Sequence, residues 1–176
     1  MSTPAGAPET EGLLQPFGYG VGYQDFIALT NPAAGANLQF VVDNRSWIRL
    51  LAARATITTS ATVANRFVSL DYINARGTTF VRNAAGLVVT ASTTNQVFEW
   101  NAGRTDAQWA ANTPILGTLY SMFLPPGSTV QFTLDSIQAA DQISSAQLTF
   151  ERFDVGSVGY ALGFVERDAV ASSVDG

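Results

Sequence analysis

The stretch that decides the fold runs from Val130 to Asp135 and reads Val-Gln-Phe-Thr-Leu-Asp. Apolar side chains at Val130, Phe132 and Leu134 alternate with polar ones, and this period of two places one face of a β-strand on a core. The same alternation recurs in residues 38–42, 68–72, 98–100 and 146–151. The repeated pattern predicts antiparallel strands with one face toward a core and the other toward water or a partner.

Two longer runs, residues 47–60 and 115–124, are apolar on both alternating positions. They predict long strands in the middle of a sandwich whose outer face is also covered. Residues 104–111 and 136–142 are the only predicted helices. Glycine, asparagine and proline mark four predicted turns at residues 75–77, 83–86, 101–103 and 125–127.

About eight strands therefore fall between residues 38 and 153, which predicts an all-β fold. We expect an antiparallel two-sheet sandwich, jelly-roll-like rather than immunoglobulin-like, with a closed barrel as the alternative. The predicted organisation is an N-terminal arm at residues 1–23, the β-sandwich domain at 24–154 and a C-terminal tail at 155–176.

The arm combines prolines and glycines with large apolar side chains, which a solvated linker has no reason to carry. It therefore predicts either a docking segment, which we favour, or a disordered chain end. Its candidate assembly contacts are Leu13, Leu14, Phe17, Tyr19 and Tyr23.

Composition excludes several function classes. The chain has no histidine and no cysteine, so it cannot form a Ser-His-Asp triad, a Cys-His pair or a thiolate metal site. We expect no cofactor, no metal and no enzymatic activity. A net charge of −5 argues against nucleic acid and anionic membrane as partners. No apolar run is long enough for a membrane span, and the N-terminus lacks the layout of a signal peptide.

Only 13% of the residues are charged, against about 25% in ordinary soluble domains. A surface so poor in charge indicates that neighbouring subunits cover part of it. The alternative is a monomer with a neutral polar surface.

Two carboxylates, Glu99 and Glu151, are the only candidates for histidine-free glycoside hydrolysis, and we favour their pairing with arginine on an outer face instead. Arg54, Arg66 and Arg152 lie near predicted strand ends and are either intersubunit anchors or, as we favour, members of intramolecular ion pairs. Their expected partners are Asp71, Glu99 and Asp141. Trp100 and Trp109 are candidates for a sugar-binding platform, although Trp100 shares the inward positions with Phe98.

Four segments, in this order, resemble a pattern in small structural proteins of tailed bacteriophages. They are residues 53–66 (Ala-Arg-Ala-Thr-Ile-Thr-Thr-Ser-Ala-Thr-Val-Ala-Asn-Arg), 93–100, 124–127 and 140–144. The resemblance covers about residues 46–152. It implies a jelly-roll or sandwich module at the capsid surface, on a collar or on a fibre, and it supplies no catalytic residues.

Taken with the composition, this resemblance predicts a non-enzymatic virion structural protein that decorates or stabilises the capsid surface. The expected partners are the major capsid protein or other virion subunits and further copies of the chain, with a trimer favoured. Its expected location is the virion, after synthesis in the host cytoplasm. The alternative function is a carbohydrate- or receptor-binding module of a phage fibre, spike or collar.

Overall fold

The computed structural model describes residues 22–102 and 114–154, which form ten β-strands. The strands are β1 (Tyr23–Ala28), β2 (Leu38–Val41), β3 (Ser46–Thr58), β4 (Arg66–Ile73), β5 (Thr79–Val89), β6 (Gln96–Ala102), β7 (Ile115–Leu119), β8 (Phe123–Leu124), β9 (Thr129–Leu134) and β10 (Gln142–Asp154). Within these two ranges there is no helix long and apolar enough to cross a membrane.

The strands form two sheets. The larger has the order β1-β10-β3-β6-β7, with β8 paired to β3, and the smaller has the order β2-β9-β4-β5. Apart from β7 and β8, the first strand lies beside the last and the second beside the last but one, which is the strand order of a jelly roll. The predicted jelly-roll-like sandwich is confirmed. It differs from expectation in having ten described strands and one parallel pair, β6 with β7.

The core lies between the sheets and is built from the inward positions of the alternating strands. Trp100 occupies its centre, with ring centroids 6.2 Å from Phe98 and 5.9 Å from Phe132. Its indole Nε1 donates a hydrogen bond to the carbonyl oxygen of Asn83 at 3.0 Å, so the one polar atom of this ring is satisfied. The sequence-predicted core residues Val68, Leu70, Phe98, Phe132, Leu134, Leu148 and Phe150 are all buried in this one cluster.

Two predicted turns are contradicted, one in part and one fully. At residues 101–103, Asn101 and Ala102 end β6, and Gly103 lies outside the described residues. Residues 83–86 lie inside β5, where a bulge opposite Val68 separates the pair Ser69–Ala84 from the pair Phe67–Val88. Gly86 provides the left-handed conformation (φ +70°) that the bulge requires. Asn83 does not turn the chain, because its side-chain amide donates to the carbonyl of Leu70 and accepts from the backbone N–H of Tyr120.

The predicted helix at residues 136–142 is also wrong. Residues 136–141 form turns and Gln142 begins β10. Ser136 has φ +60°, and Asp141 accepts a hydrogen bond from the backbone N–H of Gln138. The other predicted helix, 104–111, lies outside the described residues.

The two runs expected to be covered on both faces alternate instead. In β3 buried positions alternate with half-buried ones, apart from a break near Leu51 and the exposed Arg54, and residues 115–124 divide into β7 and β8. At Gly117 the backbone of β7 approaches the Trp100 ring so closely that a Cβ atom would clash with it. Contact with the core therefore explains why the inward face of these runs is apolar, but it does not explain the apolar residues on their outward face.

The burial of Phe132 leads to a stability prediction. Phe132→Ala should lower the free energy of unfolding by about 3–5 kcal/mol, because the cavity would lie between both sheets. Phe80→Ala is the matched control: Phe80 is 43% exposed, and its loss should cost less than about 1 kcal/mol. Equilibrium denaturation in urea measures both, and equal costs would contradict this description of the core.

Candidate functional site

Four connections carry the chain from one sheet to the other, and hydrogen bonds join them into one group, here called the loop end. They are residues 29–37, 59–65, 90–95 and 135–141. Thr59 donates its backbone N–H to the carbonyl of Thr93 at 2.8 Å, and Gly35 donates to the carbonyl of Asp141 at 2.8 Å. The loop end therefore holds the two sheets in fixed relation.

A buried ion pair lies at the centre of the loop end. Arg66 donates from Nε and Nη2 to the two carboxylate oxygens of Asp141 at 2.6 and 3.0 Å, and both side chains are fully buried. The guanidinium also donates to the carbonyls of Ala64 and Thr62 and to the hydroxyl of Ser60. Because of this bidentate geometry, each charge neutralises the other at a site that water does not reach.

Asp141 is held ionised by its surroundings. Burial raises the pKa of this carboxyl. Hydrogen bonds from Arg66 and from the backbone N–H groups of Ser60 and Gln138 outweigh burial and hold the pKa at about 2. Asp141 therefore links residues 59–66 to residues 135–141 through a charge that persists over the physiological pH range.

The other two candidate arginines, Arg54 and Arg152, are also paired within the chain. Arg54 lies 3.5 Å from Glu99, so the preference for intramolecular pairing is confirmed at Arg54 and at Arg66. Arg152 instead pairs with Asp43 at 3.2 Å and Asp25 at 3.9 Å, which are acids that the sequence did not indicate.

The two candidate catalytic carboxylates are far apart. Glu151 pairs with Arg49 and Glu99 with Arg54, and these arginines are five residues apart on β3, or ~15 Å along a strand. The two glutamates also belong to strands on opposite sides of β3. Glycosidase carboxylates lie about 5–9.5 Å apart, so Glu99 and Glu151 do not form such a pair. The described residues contain no group of three acids that could hold a metal ion.

Of the candidate assembly contacts, only Tyr23 falls within the described residues. It begins β1, pairs with Arg152 of β10 and is 48% exposed. Leu13, Leu14, Phe17 and Tyr19 lie outside the described residues, as does Trp109. Trp100 is fully buried and therefore is not an exposed platform.

The structure shows an apolar surface that the sequence did not indicate. Most of the exposed large apolar side chains lie on the outermost strands β1, β2 and β5 or directly beside β5 and β7. We call them the edge residues: Tyr23, Phe26, Val41, Phe67, Phe80, Leu87 and Tyr120. Strand order could have located most of them. Five lie on β1, β2 and β5, which have a neighbour on one side only, whereas Phe67 lies on β4 beside β5 and Tyr120 directly follows β7.

One depression is also present on the outer face of the larger sheet. It is bordered by Phe26 of β1, by Arg54 of β3 and by Glu99 and Asn101 of β6. An aromatic ring and several polar groups therefore face a common space.

The Asp141 carboxylate generates a pH prediction. Its pKa is lower in the folded state than the ordinary 3.8, so its stabilisation is fully present above pH 4–5 and is lost as the pH falls toward 2. Between these limits the free energy of unfolding should drop by about 2 kcal/mol through this group.

Urea denaturation at pH 5 and pH 2.5 measures this drop. Asp141→Asn should be less stable by about 3–5 kcal/mol at neutral pH, because Arg66 is left buried without its charge partner, and should have a flatter pH dependence. Asp43→Asn removes an exposed carboxylate from a surface ion pair and is the control; at neutral pH it should cost less than about 1 kcal/mol. An unchanged pH dependence in Asp141→Asn would contradict the assigned role.

Comparisons of the chain with protein-family models, curated proteins and solved structures produce no match. Function is therefore argued from the residues and their geometry.

Proposed function

We propose that the chain is a non-enzymatic structural protein of a tailed-bacteriophage virion that decorates or stabilises the capsid surface. It does so through contacts with the major capsid protein or other virion subunits and with further copies of itself. The observation that carries this proposal is the position of the edge residues along open strands of a jelly-roll-like sandwich.

An edge strand offers unpaired backbone N–H and C=O groups, which can pair with a strand of another chain. Natural monomers block such edges with proline, with lysine or with other charged residues. Here β2 contains no charge, β1 contains only Asp25, and the chain has no lysine. The one charge on β5, Arg82, is engaged with Asp71 and Asp135. The edges therefore combine backbone pairing capacity with apolar side chains.

The N-terminal arm provides a segment that can occupy such an edge. Residues 1–23 precede or begin β1, and β1 lies at an edge of the larger sheet. We propose that it docks in extended form on a neighbouring subunit, adding a strand through backbone hydrogen bonds. Each Leu, Phe or Tyr that it buries contributes about 1.5–3 kcal/mol before the cost of ordering the arm.

The non-enzymatic part of the proposal rests on composition and on the carboxylates. No histidine or cysteine is available as base, nucleophile or ligand. Glu99 and Glu151, the only acid pair that the sequence indicated, are each paired with a different arginine. The low share of charged residues, 13%, is consistent with a surface made for other subunits.

A homo-oligomer, with a trimer favoured, is the expected state. The chain has a mass of 18.7 kDa, and light scattering should report about three times this mass. Leu87→Lys should shift the protein toward monomer, because a lysine on β5 places a charge at an apolar edge. Val63→Lys is the matched control, since Val63 is the most exposed of the large apolar residues that the structure describes, at 92%, but lies in a loop.

Two results would contradict this prediction. One is a wild-type monomer at high concentration, found also as isolated copies in images of virions. The other is equal dissociation by Leu87→Lys and Val63→Lys, since the effect would then arise from charge and not from the edge.

The arm is tested by deleting residues 2–21. This deletion retains Gly22, which lies against the ring of Phe153, and the whole of β1. The shortened protein should keep its unfolding transition but bind less to virions that lack the chain, as measured by cosedimentation. Binding equal to that of the intact protein would show that the arm is not the anchor.

A further inference from the structure

The depression on the larger sheet is formed by a row of residues that face each other across four strands. Phe26 pairs with Thr149, Thr149 with Ala52, and Ala52 with Asn101. The two middle positions are small and only half-buried, whereas the outer positions carry a ring and an amide. Small residues between larger ones create a concave floor on an otherwise open sheet.

The size of this depression suits one sugar ring. Its two sides are three strand spacings apart, or ~14 Å between backbones, and the cavity is about 190 Å³. That volume is smaller than the about 300–1,000 Å³ of sites for drug-sized ligands. A single six-membered ring therefore fits better than an extended peptide or a larger cofactor.

The aromatic side of the depression is Phe26. Its side chain is 57% exposed, and a large apolar ring held in water on a sheet face offers a surface for a ligand. The face of an aromatic ring carries partial negative charge. It therefore attracts the C–H groups of one pyranose face, which carry partial positive charge.

The polar side of the depression offers both donors and acceptors. Arg54 and Glu99 lie in the neighbouring row with Gln147, beside Asn101. The Arg54–Glu99 contact is long, at 3.5 Å, and leaves the arginine side chain 50% exposed, so both partners keep hydrogen-bonding capacity. Amide, guanidinium and carboxylate groups together can bind hydroxyl groups, each of which both donates and accepts.

The charge balance selects a neutral ligand. Arg54 is compensated by Glu99, so the depression has no excess positive charge for a phosphate or a uronate. A carboxylate ligand would also lie near the Glu99 carboxylate, which repels it. The chemistry that remains is a neutral polyol with one apolar face.

We propose that this depression is a binding site for a neutral pyranose, stacked on Phe26 and hydrogen-bonded by Glu99, Arg54 and the Asn101 amide. It does not depend on the position of the chain in a virion, but it requires that subunit contacts use edge residues other than Phe26. It also places sugar recognition on Phe26 and not on a tryptophan. The ligand is a hexopyranose unit of a neutral glycan, and its binding involves no covalent step.

The test uses the intact chain, labelled with ¹⁵N, and the methyl glycosides of glucose, galactose, mannose and N-acetylglucosamine as probes. At least one probe should shift the backbone resonances of Phe26, Ala52 and Asn101 in a saturable manner. Phe26→Ala should weaken this binding by about tenfold or more, because the stacking face is lost. Glu99→Gln should also weaken it, because the acceptor loses its charge.

Two matched controls isolate the site. Phe80→Ala removes an exposed ring from the other sheet, and Glu151→Gln removes a carboxylate that pairs with Arg49 on the same sheet. Both should bind the probe like the wild type. Each variant should also keep the wild-type unfolding midpoint within a few degrees, since Phe26 and Glu99 lie on the outer face.

Three results would overturn the proposal. The first is that none of the probes shifts the resonances of the depression residues at any soluble concentration. The second is that Phe26→Ala binds the probe as tightly as the wild type does. The third is that a charged probe, methyl glucuronide, binds more tightly than methyl glucoside. Failure here leaves oligomer mass and cosedimentation with virions unchanged, so it is distinguishable from failure of the virion assignment.

Discussion

Arg66 and Asp141 are fully buried, and each is the charge partner that makes burial of the other tolerable. Desolvating two ions costs several kcal/mol per group, so the pair forms only where every remaining N–H and lone pair is satisfied. The loop end supplies these partners through Ser60, Thr62 and Gln138. The ion pair and the loops therefore depend on each other, and a sandwich with different loop positions would leave two charges buried and unpaired.

This mutual dependence also explains the backbone of the loop end. Ser92, Asn95 and Ser136 adopt positive φ without being glycine, which costs of order 1–3 kcal/mol per residue. Hydrogen bonds between the connections offset that cost: Thr59 exchanges bonds with Thr90 and Thr93. In residues 59–65 and 90–95, which contain no glycine or proline, side-chain hydroxyls provide the hydrogen bonds that fix the turns. Thr58, Thr59 and Thr93 have this role.

The edges of the sheets differ from the loop end in how their polar groups are satisfied. Polar groups at the loop end are paired inside the chain, whereas the outermost strands leave backbone groups and apolar side chains facing outward. A domain with an exposed edge of this kind gains stability from a neighbour and is prone to association without one. The outermost strands β1, β2 and β5 therefore carry few of the charges that protect an exposed edge from pairing with another chain.

Local pattern alone determined the fold class and the core. The period of two in residues 98–100, 130–134 and 146–150 identified one core that contains Phe98, Phe132 and Phe150, because a strand has only two faces. The turn at Pro125–Gly127 was predictable too, since proline restricts φ and Gly127 adopts φ +77°. The sequence also favoured partners within the chain for Arg54 and Arg66, and the structure pairs them with Glu99 and Asp141.

Features that depend on contacts between residues distant in the sequence were decided only by the tertiary structure. Asn83 was read as a turn residue, but its amide is bound by Leu70 and Tyr120, far away in the sequence. Residues 136–142 had a helical composition, but residues 136–141 form turns because Asp141 is held by Arg66, 75 residues away. Phe26, Arg54 and Glu99 meet in one depression because β1, β3 and β6 belong to one sheet. Strand order is set by how the whole chain closes around its core, and no local period contains that information.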